Sequence, residues 1–152
     1  MERRFEIKGE RDGIMVIDVY SHPPAKVRAA LAAAREGLGR RILVAYQPHR
    51  YSRTRDVFDE LARAFHDADV VLLTEIYAAG EEKIPGVSAE ALAEAVRACG
   101  HRACEFVPEK SAIVPRLREL ARPGDLVFFM GAGDIGRLAS EFLAGDGGGS
   151  GT

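Results

Sequence analysis

The stretch Asp125-Leu126-Val127-Phe128-Phe129-Met130-Gly131-Ala132-Gly133-Asp134-Ile135-Gly136 decides the fold. Its first half is a nearly unbroken apolar run of strand length, and its second half is a glycine turn. Ile135, Leu138, Ala139 and Phe142 then recur at helical spacing. A strand that is apolar on both faces must be covered on both. That is the pattern of a parallel sheet between helical layers, not of a half-solvated antiparallel one. The stretch therefore reads as one strand–turn–helix step.

The same step repeats along the chain. Strand-like runs fall at Arg41–Tyr46, Asp69–Thr74 and Arg102–Val107, and the final one at Asp125–Met130. Helical faces lie between them at Val57/Leu61/Phe65, Leu92/Ala95/Val96/Cys99 and Ile113/Leu117/Leu120. Upstream, Pro24 suits a first helical position, Val27, Ala30, Leu31 and Ala34 form an apolar face, and Gly37 reads as the stop. At the start, Arg3 to Lys8 alternates with Phe5 and Ile7 on one side, and Asp12-Gly13 turns the chain into Ile14–Val19, a hairpin pattern. The order ββαβαβαβαβα predicts an α/β fold: a Rossmann-like, doubly wound, mostly parallel six-stranded sheet with an antiparallel N-terminal edge strand and flanking helices. Residues 1–144 are expected to form this domain, and the glycine-rich 145–152 a flexible tail.

Composition narrows the class. At 152 residues and 47% hydrophobic, the chain is one ordinary domain. Lys and Arg total 21 against 23 Asp and Glu, a net charge of −2, which argues against a general nucleic-acid or membrane-surface binder. No apolar run approaches the ~20 residues that span a bilayer, and no signal peptide is visible, so a cytoplasmic location is expected. Two cysteines fit a reducing compartment. Cys99 lies on a helix's apolar face and Cys104 within a strand, so both read as small buried hydrophobes and not as metal ligands around His101; His66 reads as a helix C-terminal residue. No Walker-type phosphate loop occurs.

In an open parallel sheet, ligands bind beyond the carboxyl ends of the strands. That selects four loops: Asp18–Pro24, Gln47–Thr54, Glu75–Lys83 and Gly131–Gly136. The second, Gln47-Pro48-His49-Arg50-Tyr51-Ser52-Arg53-Thr54-Arg55, places three arginines and a histidine where a strand passes into a helix. Ser52 or Thr54 is expected to cap that helix, with Asp56 in its first turn. Planar guanidinium groups beside a helix start suit a carboxylate or phosphate. A solvated basic turn paired with Asp56, Asp59 and Glu60 is the alternative. In the first loop, Asp18 closes a buried strand as an acceptor for a ribose hydroxyl, with Tyr20 and His22 near the same cleft. Alternatively, Asp18 and Ser21 merely cap the next helix. Gly131-Ala132-Gly133-Asp134-Ile135-Gly136 matches G-x-G-x-x-G, but a dinucleotide site wants a further βα unit and an acidic residue about 20 positions on. The chain offers a glycine tail there, so the turn is expected to serve close packing.

These stretches resemble the C-terminal domain of the bacterial Mur ligases. The resemblance is carried by Arg3–Glu10, by Asp18-Val19-Tyr20-Ser21-His22-Pro23-Pro24, and by Gln47-Pro48-His49-Arg50-Tyr51-Ser52-Arg53-Thr54-Arg55-Asp56. It continues through Ile76-Tyr77-Ala78-Ala79-Gly80-Glu81, Ile84-Pro85-Gly86, Arg122-Pro123-Gly124-Asp125 and Gly131–Gly136. The Tyr-Ala-Ala-Gly-Glu stretch is similar to the branch that adds L-alanine to UDP-N-acetylmuramate in peptidoglycan precursor synthesis. The resemblance implies an ATP-dependent ligase that works through an acyl phosphate, with N-terminal and central domains elsewhere holding the UDP-sugar, the ATP phosphates and Mg2+. It implies that Arg50 and Arg53 hold the alanine carboxylate with Tyr20, His22 and His49 beside it, and that Asp18 meets the ATP ribose. The contribution would be positioning, with no acid–base residue and no metal ligand of its own. In the family's usual Asp-Asp-Tyr-Gly-His-His-Pro, the second Asp is Val19 here and the second His is Pro23. Alone, such a chain is expected to be inactive. The other expectation these departures raise is a stand-alone binding domain that keeps the fold without ligation.

Overall fold

The computed structural model describes residues 6–20, 23–101, 103–131 and 134–144. Two strands open the chain: β1 (Glu6–Arg11) pairs antiparallel with β2 (Ile14–Val19) through the Asp12-Gly13 turn, with φ of 54° and 80° at its two central residues. That is the hairpin expected from sequence, with β1 running on past Lys8 to Arg11. Arg3 to Phe5 lie outside the described residues, and Ile7 is 57% exposed. As the edge strand, β1 has little covering either face.

The remaining strands are β3 (Ile42–Gln47), β4 (Val70–Leu73), β5 (Cys104–Phe106) and β6 (Leu126–Gly131). They form a single six-stranded sheet in the order β1-β2-β6-β3-β4-β5, parallel everywhere except β1–β2. Strand alternation splits the core in two. Ile17, Val19, Val44, Tyr46, Leu73, Phe128 and Met130 share one apolar cluster, with Val27 and Leu31 of α1 (Pro24–Leu38), Leu61 of α3 (Phe58–Ala62) and Leu92 and Val96 of α4 (Ala89–Ala98). Val16, Leu43, Ala45, Leu72, Val127 and Phe129 share the other, with Ile113 and Leu117 of α5 (Ile113–Leu120) and Leu138 and Phe142 of α6 (Arg137–Ala144). Each large side chain fully buried in this way stabilises the fold by about 1.5–3 kcal/mol.

Several boundaries differ from the sequence expectation. α1 runs through Gly37 to Leu38, and Gly39 takes the left-handed C-cap conformation. The one helix expected across Val57, Leu61 and Phe65 is two. α2 (Tyr51–Asp56) is held at its start by contacts from another loop, α3 is placed by burial of Leu61, and β-branched Val57 takes the break between them. The chain thus has six α-helices and a 3₁₀ turn at Lys110–Ala112 among the described residues, instead of five helices. Phe65 is buried beyond the end of α3, and His66 is an exposed turn residue. Cys99 is exposed at the end of α4, not buried, whereas Cys104 is buried in β5. His101 is buried with its Nε2 2.7 Å from the Ala68 carbonyl oxygen. No helix among the described residues is long and apolar enough to cross a membrane. Residues 145–152, expected to form a tail, lie outside the described residues.

α1, α3 and α4 lie on one face of the sheet, and α5 and α6 on the other. β6 enters between β2 and β3, so the chain after it turns to the face opposite the one taken after its two neighbours. A crevice forms at such a switch point. The register sets Val19 and Tyr46 level with Met130, and Gln47 level with Gly131, which brings the expected ligand loops to one edge.

Candidate functional site

Parallel pairing of β3 with β4 ends at Tyr46 and Leu73 but resumes a few residues later. Tyr77 donates its N–H to the Pro48 carbonyl at 2.8 Å, Arg50 donates its own to the Tyr77 carbonyl at 2.8 Å, and His49 bridges to Tyr77. The two rings stack, with centroids 5.6 Å apart and planes 16° from parallel. This splint fixes Arg50 at φ 72° and ψ 141°. Such a conformation is nearly reserved for glycine and costs about 1–3 kcal/mol in any other residue, so it persists only where its surroundings over-determine it. Here they do: the Arg50 carbonyl accepts from Thr54 N–H at 3.1 Å and from Thr54 Oγ1 at 2.7 Å.

The helix start therefore differs from expectation. α2 begins at Tyr51, and neither Ser52 nor Thr54 caps it. Ser52 donates its N–H at 3.0 Å and its hydroxyl at 2.5 Å to the two carboxylate oxygens of Glu81. Asp56 closes α2 instead of opening it, and pairs with Arg55 at 3.1 Å. A solvated ion-paired turn thus describes Arg55. Arg50 and Arg53 remain exposed on the same short turn, on either side of half-buried Ser52.

The electrostatics follow from this crowding. Partial burial, then the positive charges of Arg50 and Arg53, hold the His49 imidazole below its ordinary pKa of 6.5, against an opposing pull from Glu81. The Ser52 hydrogen bonds hold the Glu81 carboxyl below its ordinary 4.5. The turn presents two guanidinium groups and a neutral ring, a suitable receptor for one carboxylate or phosphate.

The second half of the edge is built around β6. Gly131 follows a pattern no side chain would tolerate: a Cβ there would sit 2.8 Å from the Gln47 carbonyl oxygen. A Cβ on Gly136 would sit 2.9 Å from Asp18 Oδ2, so the absent side chain is what lets the Asp18 carboxylate lie against the turn before α6. Lys110 Nζ, from the 3₁₀ turn after β5, donates to both Asp134 oxygens at 2.6 Å, and Gln47 also bonds that carboxylate. Burial alone would raise the Asp134 pKa, but the Lys110 hydrogen bonds and charge outweigh it and hold the carboxyl below 3.8. Gln47 is 2% exposed, and its Oε1 has no hydrogen-bond partner among the described residues.

Of the residues singled out from sequence, the structure brings His49, Arg50 and Arg53 onto one turn. Asp18 and Tyr20 lie two strands away in the order β2-β6-β3, about 10 Å across the sheet. Tyr20 is 59% exposed, and His22 lies outside the described residues, as do Ser21, Ala132 and Gly133. Sequence reasoning missed Tyr77, Glu81, Lys110 and Asp134 as individuals. Three of them fall in loops already marked as carboxyl-edge and within stretches that carry the family resemblance, and those were the available signals. A cavity of about 340 Å³ lies at the opposite end of the sheet, where Arg11 and Arg118 bond the last carbonyls of α6; it shares nothing with these loops. No group of three or more potential metal-ligating side chains occurs among the described residues.

Known proteins share this architecture. The family described as Mur ligase, glutamate ligase domain, matches residues 3–133. The UDP-N-acetylmuramate–L-alanine ligase of Anaeromyxobacter sp. is 54% identical over 143 residues, covering 94% of this chain and 31% of that protein. The ligase of the same name from Myxococcus xanthus is 50% identical over 147 residues, covering 94% and 30%. Among solved structures, the UDP-N-acetylmuramate–alanine ligase of Thermotoga maritima matches with a TM-score of 0.71 at 28% identity, over 93% of this chain and 29% of that one. The chain thus spans about 31% of the length of the curated relatives it matches.

Proposed function

The chain belongs to the Mur ligase family, and from that membership we propose that it is the amino-acid-presenting third of an ATP-dependent ligase joining L-alanine to UDP-N-acetylmuramate in the cytoplasm. ATP would supply activation of the lactyl carboxylate as an acyl phosphate, with its phosphates and Mg2+ held by the domains that make up the rest of such a ligase. The residues of this chain bind and orient. Arg50 and Arg53 hold the alanine carboxylate through charge-assisted hydrogen bonds, leaving the amine directed at the acyl carbon. Tyr20, His22 and His49 flank it. Neutral His49 adds an aromatic wall against Tyr77 without adding charge. Asp18, set against Gly136, suits a ribose hydroxyl. Holding the amine in place converts a collision into an intramolecular step, which is the catalytic contribution of such a domain.

The observation that carries this reading is the near-glycine-only backbone of Arg50, maintained at the carboxyl edge of the sheet by a bond from the Tyr77 loop and by the first turn of its own helix. Strain of that kind in a non-glycine residue aims a side chain that a relaxed turn would not. The two departures from the family's first loop leave this intact. Val19 is 3% exposed in the core, and Pro23 immediately precedes the first residue of α1. Their work here is packing and helix initiation.

The test is a chimera in which this chain replaces the matching 31% of the Anaeromyxobacter ligase. Phosphate release that requires both ATP and L-alanine is expected. A chimera that folds and binds ATP but releases no phosphate in response to L-alanine contradicts the proposal.

A further inference from the structure

Glu81 reaches the arginine turn from a different loop, and both of its carboxylate oxygens are committed there: Oε1 to Ser52 N–H at 3.0 Å and Oε2 to Ser52 Oγ at 2.5 Å. Ser52 sits between Arg50 and Arg53. The loop that delivers Glu81 curls back through two left-handed residues, Ala79 at φ 52° and Gly80 at φ 89°, and closes with a Glu81 N–H bond to the Ala78 carbonyl at 3.0 Å. The same loop carries Tyr77, whose carbonyl holds the Arg50 N–H at 2.8 Å. One connector therefore grips the turn at two successive points, backbone to backbone at Arg50 and carboxylate to Ser52.

We propose that Glu81 is a positioning residue for the incoming amino acid: by clamping Ser52 it holds Arg50 and Arg53 at the spacing and direction one carboxylate requires. The proposal rests on the carboxylate role of those arginines. Glu81 carries the same charge as the substrate carboxylate, so it does not itself bind that group. Nor is it a simple counterion. Its bonds run to the backbone and hydroxyl of the residue between the guanidinium groups, so it acts on where they point. Without it, the strained Arg50 backbone keeps only its Tyr77 and Thr54 bonds, and the turn is free to relax toward ordinary negative φ. The grip reaches the β3 side of the edge and not Asp18, which lies beyond β6. The consequence is selective: amino-acid affinity depends on Glu81, and nucleotide affinity does not.

The experiment uses the chimera and its Glu81→Ala, Glu81→Gln, Ser52→Ala and Glu81→Ala/Ser52→Ala variants, with Arg50→Ala as reference. Glu81→Ala is expected to raise the KM for L-alanine about tenfold, the worth of one charge-assisted hydrogen bond, with the KM for ATP within about twofold of the parent. Glu81→Gln, which keeps an acceptor for Ser52 N–H, should rise less. The double variant should be no worse than Glu81→Ala alone, because both changes break one contact. An unchanged KM for L-alanine in Glu81→Ala, where Arg50→Ala raises it, overturns the proposal. So does a parallel shift of both KM values accompanied by a lower melting temperature, which marks a purely structural role. If Arg50→Ala itself leaves the KM for L-alanine unchanged, the carboxylate reading fails instead.

Discussion

The backbone N–H of Arg50 donates to the carbonyl of Tyr77 at 2.8 Å, extending the β3–β4 pairing past both strand ends and holding an arginine where glycine belongs. Strain there works against stability and, on the proposed function, aims the side chain at the substrate, so Arg50→Gly separates the two. Relief of about 1–3 kcal/mol of strain exceeds the ~0.5–1 kcal/mol that glycine's extra unfolded-state freedom costs. The variant chain should melt about 2–4 °C higher, as ~1 kcal/mol implies at this size. In the chimera, the same substitution should raise the KM for L-alanine. A melting temperature that falls would show that the conformation is not strained.

The two glycines that frame the β6 turn should respond differently to alanine. At Gly131 the obstacle is the backbone carbonyl of Gln47, 2.8 Å away, which moves only if the β3–β6 ladder moves. Gly131→Ala should lower stability by about 2 kcal/mol, measured by urea denaturation. At Gly136 the obstacle is the Asp18 carboxylate, a more yielding neighbour than a backbone carbonyl. Gly136→Ala should therefore cost less stability than Gly131→Ala and raise the KM for ATP in the chimera.

His49 should be predominantly neutral at pH 7. Its pKa lies below 6.5 through partial burial and then through Arg50 and Arg53, so its protonation is opposed in the folded chain. The midpoint of its ring-resonance shifts in an NMR titration should lie below that value. Arg53→Ala removes one of the two opposing charges and should shift the midpoint upward. A wild-type midpoint at or above 6.5 would contradict the crowded-cation geometry.

Acid should unfold the protein through a few carboxylates whose pKa is depressed in the folded state. Glu105 is held down by its Arg116 hydrogen bonds, against the effect of burial. In Asp134, burial acts upward but is outweighed by Lys110. A depressed folded pKa means stability that is complete above the unfolded values, 4.5 and 3.8, and is lost as pH falls through the lower folded ones. Urea midpoints should be flat from pH 7 to about 5 and decline below. Glu105→Gln and Asp134→Asn should each shallow that decline.

Much of this architecture was legible because parallel strands covered on both faces must be apolar throughout. Leu126–Met130 and Ile42–Tyr46 could be little else. The loop positions followed from the same rule, and His49, Arg50 and Arg53 followed from the loops. What stayed hidden was long-range. Ser52 looks like a helix cap because the local pattern permits it, but Glu81, 29 residues away, takes both its donors. The break at Val57 and the exposure of Cys99 likewise depend on what packs against the helix, which spacing does not encode. The strain at Arg50 has no sequence signal at all, since the residue is not a glycine and its partners lie on another strand's loop.

The central claim is that Arg50 and Arg53 recognise the carboxylate of the incoming amino acid. It is tested most directly by comparing L-alanine with L-alaninamide, which offers the same amine and methyl group without the carboxylate. The ratio of kcat/KM for the two substrates, measured in the chimera, isolates that recognition from folding and from ATP binding. A preference for L-alanine of about a hundredfold is expected, the worth of two charge-assisted contacts, collapsing toward unity in Arg50→Ala/Arg53→Ala. A preference that survives the double substitution would contradict it.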